Sequence, residues 1–142
     1  MIIHQPVLSA ETAFRLVSHA MAHARSKDWA VAIAVADPSG AIQASLRMDD
    51  VVPVILEVAI DKAYTAATMR CATKVFGAEK AADPVQSLGL STRQRLVAWG
   101  GGLPIVHDGR VVGGIGVSGV RDFEDIEIGH AALAAEGLGW EP

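Results

Sequence analysis

The stretch "VVGGIGVSG", residues 111–119, decides how this chain is read. Gly114, Gly116 and Gly119 stand in the G-x-G-x-x-G spacing of a dinucleotide-binding turn, with valine and isoleucine leading in. Such a turn works only inside a parallel strand–helix–strand unit of roughly 30 residues, with an acid about 20 residues further on. Only 23 residues follow Gly119, and they read as one helix and an end. No second strand completes the unit, so the glycines serve something else. Gly113, Gly114 and Gly116 lie within a strand, where glycine weakens the ladder and marks close approach by another group. Because side chains alternate along a strand, Gly114 and Gly116 leave one face bare. Either a helix nests there or a flat ligand lies there.

The rest of the chain sets an antiparallel context. Ser9 is placed to cap a first helix over about 10–27, with Glu11 in its first turn and an apolar stripe of Ala13, Phe14, Val17, Ala20, Met21 and Ala24. "WAVAIAVAD" (29–37) and "AIQASLRM" (41–48) read as two strands around the turn "DPSG", which makes a hairpin. Pro53 suits the first turn of a second helix running to about Thr73. Residues 74–92 read as irregular, with a short helix after Pro84, and strands follow at about 94–99, 104–107 and 111–118. "RDFEDIEIGHAALAAEG" closes the chain as a helix. This order predicts one α+β domain over 1–142, with a five-stranded antiparallel β-sheet flanked by α-helices.

Composition excludes several classes. The net charge is −4 and no basic run occurs, so the positive footprint of a nucleic-acid binder is missing. No stretch of about 18 apolar residues is present to span a membrane. The single cysteine, Cys71, makes no internal disulfide, and the N-terminus lacks a secretory pattern, so a cytoplasmic location is expected. With 51% hydrophobic and 20% charged residues, the chain has apolar surface to spare for partner subunits.

Five motifs occur in a telling order: "VADPSG" (35–40), "RMD" (47–49), "DKAYTAA" (61–67), "GGGLPI" (100–105) and "VVGGIGVSG". Together they resemble the GlcG/HbpS-like family, which also supplies the C-terminal domain of PduO-type proteins, over about Leu8 to Gly137. The resemblance implies a profilin-like fold and homo-oligomers from dimer to octamer. In several members it also implies binding of haem or a related tetrapyrrole.

The candidate functional residues cluster on the second helix. At about 100° per residue, Glu57, Asp61, Tyr64 and Thr68 share one ridge, with Thr65 beside them, while Ile55, Leu56, Ala59, Ala63, Ala66 and Ala67 face the other way. Glu57 and Asp61 are like charges one turn apart and need a cation, a shared proton or a metal between them. They read either as an acid–base pair or as part of a structural ion pair. Lys62, Tyr64 and Thr65 belong to the family motif. Arg47 and Asp49 end the second strand, where an arginine suits a ligand carboxylate or pairs locally. Trp99, Gly101 and Gly102 form either an anion nest with a ligand wall or a tight turn. His19 and His23 are spaced as a metal-binding pair on the flank of the first helix, or as a solvated or interfacial pair.

Two functions follow, beside a purely structural or accessory role as a third reading. One is a small-ligand-binding protein, with haem as the cofactor the resemblance allows, and a site near the second helix, the 99–104 turn and the Gly114–Gly116 strand. The other is a small catabolic isomerase or lyase. There Arg47 holds an organic acid and Asp61 or Glu57 moves its proton.

Overall fold

The computed structural model describes residues 1–142. Helix α1 (Ala10–Ser26) begins where Ser9 accepts a hydrogen bond from the Thr12 amide, 3.1 Å away. Strands β1 (Ala32–Ala36) and β2 (Ile42–Arg47) form the expected hairpin. Its turn is built by Asp37, whose carboxylate accepts from the Ser39 hydroxyl and from the amides of Ser39 and Ala41. Those bonds hold the Asp37 carboxyl below its ordinary pKa. Helix α2 (Pro53–Met69) starts on Pro53 and ends at Met69, four residues before the expected stop near Thr73, because Arg70 turns left-handed. Then come α3 (Thr73–Ala81), α4 (Pro84–Leu90), β3 (Gly102–His107), β4 (Arg110–Ser118) and α5 (Asp122–Ala135).

The sheet has four strands in the order β2-β1-β4-β3, all antiparallel, not five. The expected strand at 94–99 is absent because a distant side chain claims its backbone. Thr65 on α2 takes its backbone groups, accepting from the Val97 amide and donating to the Arg95 carbonyl, each at 3.0 Å. The segment therefore runs along α2 instead of along the sheet edge. The outer edge of β3 meets the tail, where Val106 and Gly139 exchange two backbone hydrogen bonds. Residues 74–92 are also more ordered than the sequence suggests. Asp83 caps α4 through Val85 and Gln86, and α3 buries Thr73, Phe76 and Gly77.

Helices cover both faces of the sheet. On one side α1 and α5 bury Ala13, Leu16, Val17, Ala20, Ala24, Ile128, Ala132 and Leu133 against Ile33, Val35, Leu103, Ile105, Ile115 and Val117. Phe14 is not in that stripe; it is exposed, and Leu16 takes the core position instead. The other side is built from small residues. Ala59, Ala63 and Ala67 of α2 lie on Ala32, Ala34 and Ala36 of β1, with Ile55 and Leu56 half-buried at the margin. A Cβ at Gly116 would sit 2.0 Å from the Ala59 carbonyl oxygen, and one at Gly114 would sit 2.5 Å from that of Ala63. The bare glycine face is therefore filled by α2, whose backbone approaches the sheet as only glycine permits.

Candidate functional site

Helix α2 presents two distinct polar constellations. The first is its outer ridge. Asp61 meets Arg95, Nε to Oδ1 at 3.4 Å, and the Arg95 guanidinium lies over the Tyr64 ring, 3.8 Å from its centroid. Arg95 is thus the cation that the Glu57–Asp61 repulsion calls for, and sequence reading missed it because the pairing spans 34 residues. Partial burial pushes the Asp61 carboxyl up, and Arg95 pulls it back. Tyr64 packs on the hairpin turn, where a Cβ at Gly40 would meet its ring at 2.4 Å.

The second constellation is buried. Lys62 donates to Asp125 Oδ2 at 3.1 Å and to the Val117 carbonyl at 2.9 Å, and each side chain of the pair is 2% exposed. Asp125 also accepts from the Val120 amide at 3.2 Å. Burial pushes the Asp125 carboxyl up to about 6, against the opposing pull of Lys62. This pair ties α2 to α5 across the end of β4. Asp125 was not singled out in the sequence. The signal for it was Lys62, which lies between Ala59, Ala63 and Ala66 on the helix surface and so requires a buried counter-charge.

The remaining sequence candidates are spread around the molecule. Arg47 donates to the Val51 carbonyl and closes the loop into α2, and no ion pair joins it to Asp49, Glu57 or Asp61. Two of the amides beside Trp99 have partners within the chain: Gly100 donates to Asp122 at 3.2 Å and Gly102 to Thr73 at 2.9 Å. Gly101, at φ 121°, has its carbonyl on the Val117 amide. Trp99 itself is 63% exposed. Gly114 and Gly116 lie beneath α2.

His19 and His23 face α5. His19 Nε2 lies 3.0 Å from Glu136 and His23 Nε2 lies 2.9 Å from Glu127, with 40% and 27% of the two side chains exposed. Arg15 shares Glu136 and Lys27 shares Glu127. Hydrogen bonding from Arg15 holds the Glu136 carboxyl down, and that from His23 does the same for Glu127. No group of three or more histidine, cysteine or carboxylate side chains is gathered to hold a bare metal ion. No helix is long and apolar enough to cross a membrane.

These features define an α+β protein: an antiparallel sheet held between helices, with one helix seated in an alanine–glycine seam and locked by a buried ion pair. The chain belongs to the HbpS-like family, whose model, described as "Haem degrading protein HbpS-like", matches residues 8–134. It is 36% identical over 112 residues to protein GlcG of Escherichia coli strain K12, covering 79% of this chain and 81% of that protein. It is 30% identical over 129 residues to the corrinoid adenosyltransferase PduO of Citrobacter freundii, covering 90% of this chain but only 38% of that longer protein. Among solved structures, a PduOC:haem complex superposes with a TM-score of 0.87 at 28% identity, covering 96% of this chain and 99% of the other. A double mutant of HbpS from Streptomyces reticuli superposes with a TM-score of 0.86 at 27% identity, covering 94% and 90%.

Proposed function

We propose that this chain binds haem or a related tetrapyrrole as a homo-oligomer, through the α1–α5 face that carries His19 and His23. The likeness of the whole fold to a haem-complexed relative carries the reading. The donor chemistry agrees with it. Each imidazole has Nε2 against a carboxylate, and neither Nδ1 has a partner within the chain. Histidines that ligate metals are held in this way, with a carboxylate behind the ring fixing its tautomer and raising its basicity. Bound haem would supply an iron centre open to axial ligation and redox chemistry. His19 or His23 would hold the group through an imidazole oriented by Glu136 or Glu127, and Arg15 and Lys27 would be the cations available to its carboxylates.

A second copy would pack on α4, which among the chain's helices and strands meets only α3. Helix α4 buries none of its residues, and Val85 and Leu88 are 74% and 72% exposed. A seven-residue helix of this kind gains its stability from packing, and a copy of this chain in the cytoplasm is the partner proposed. Titration of the purified protein with haemin, followed in the Soret region, tests the reading. Saturable one-to-one binding that is lost in His19→Ala/His23→Ala is expected. Binding unaffected by the double variant would move the axial ligand elsewhere, and no saturable binding would overturn the reading.

The ridge supports a second reading. Asp61, half-buried with a raised carboxyl pKa beside Arg95, suits proton transfer on an organic acid. In that reading Glu57 tunes Asp61, and Arg47, with Asp49 beside it in the loop before α2, is the candidate receptor for the acid's carboxylate. Turnover of a small carboxylic acid that is abolished by Asp61→Asn and weakened by Arg47→Ala would support it. Equal turnover in wild type and Asp61→Asn would sink it.

A further inference from the structure

Away from α2's ridge and from the α1–α5 face, a cavity of about 440 Å³ opens where three distant parts of the chain meet. The segment before α1 contributes His4, the end of α2 contributes Arg70, and the β3–β4 turn contributes Arg110, with Val111 behind it and Pro142 on the lining. No aspartate or glutamate lines it, although the chain as a whole carries a net charge of −4. The nearest acid on the turn, Asp108, lies 3.4 Å from His107 and points to solvent. Neither Arg70 nor Arg110 makes a side-chain hydrogen bond or ion pair, whereas Arg15, Arg47 and Arg95 all do.

Arg70 is also held in an unfavourable conformation. Four residues other than glycine have positive φ, and three of them are aspartates, which tolerate it. Arg70, at φ 58°, is the exception, at a helix end where glycine is the usual residue. Glycine would suit this backbone better, so any gain from arginine here lies in its side chain. A cation at a helix C-terminus accounts for part of that. It does not account for a second unpaired arginine and a histidine facing the same hollow.

We propose that this cavity binds a small, doubly charged oxyanion, either a phosphate group or a dicarboxylic acid. Two guanidinium forks match two negative charges, each fork donating a pair of parallel hydrogen bonds to an oxygen pair. His4 supplies a further donor, and Ile3, Pro6 and Val111 wall the site. The proposal is independent of haem binding, because it uses none of the residues on the α1–α5 face.

The test is calorimetric titration of the full-length protein with inorganic phosphate, succinate and acetate at low ionic strength, where surface charge is least screened. At least one dianion should bind saturably, and about tenfold or more tighter than acetate. Preference between phosphate and succinate then identifies the ligand class. Arg70→Gln and Arg110→Gln should each weaken that binding about tenfold or more. Arg70→Gly is the discriminating variant: its unfolding temperature should be unchanged or higher while dianion affinity falls as in Arg70→Gln. Haemin binding should be the same in all three variants. The proposal is overturned if no dianion saturates, if acetate binds as well, or if Arg70→Gly keeps wild-type affinity, which would reduce Arg70 to a helix cap.

Discussion

Gly116→Ala offers the sharpest test of how α2 is seated. The added Cβ would lie 2.0 Å from the Ala59 carbonyl oxygen and 2.5 Å from the Ala63 amide nitrogen, both backbone atoms of α2. Favourable contact begins at about 3.5 Å, so the gap has to widen by about 1.5 Å, and a helix backbone has no rotamer with which to yield. Either α2 lifts along its length or β4 buckles. A radial gap of about 1 Å already forfeits up to half of the dispersion energy on the lining atoms. The seam of Ala59, Ala63 and Ala67 on Ala32, Ala34 and Ala36 would open together. Overpacking costs about 1–3 kcal/mol, and a backbone clash along a whole helix belongs at or above the top of that range. A loss of about 3 kcal/mol is expected, a large share of a domain stability of about 5–15 kcal/mol. Urea unfolding followed by circular dichroism measures it, with Gly89→Ala as control. That Cβ meets nothing within 4 Å, so the control should gain up to about 1 kcal/mol from helix propensity. A loss below about 1 kcal/mol in Gly116→Ala would refute the seam as the reason for the glycine.

Other predictions concern the buried polar groups. Lys62→Met alone should cost about 3 kcal/mol or more, because it strands the Asp125 carboxyl in the core, while Lys62→Met/Asp125→Asn should regain part of the loss. Asp125 titrates from 3.8 up to about 6 on folding, so its contribution to stability is fully present below pH 3.8 and is lost as pH rises through about 6. Relative to Asp125→Asn, wild-type stability should therefore fall between pH 4 and 7, by at most about 3 kcal/mol; a flat difference in urea midpoint across that range would contradict the assignment. Thr65→Val leaves the Val97 amide and Arg95 carbonyl without their partner and should cost about 1–3 kcal/mol, with faster hydrogen exchange at Val97. Arg95→Gln, which loses only an exposed ion pair and a ring contact, should cost no more than about 1–2 kcal/mol by the same measurement.

Much of the local structure was legible in the sequence because its causes are local. The Ser9 cap, the Asp37 turn and the Pro53 start lie within a few residues of the backbone groups they satisfy, and the 111–118 strand announces itself by its own residues. The two-residue spacing of Gly114 and Gly116 showed that something approaches the sheet closely. Partners far along the chain were decided only in three dimensions. Helix α2, and not a flat ligand, covers those glycines. Thr65 withholds 94–99 from the sheet, so four strands form instead of five. Lys62 finds Asp125 across 63 residues and Asp61 finds Arg95 across 34. His23 turns to Glu127 on α5 and His19 to Glu136 at its C-terminal cap. A one-dimensional pattern records that a lysine or a glycine needs a partner, because burial energetics demand one. Which residue answers depends on where the sheet and helices bring distant backbone together, and packing alone determines that.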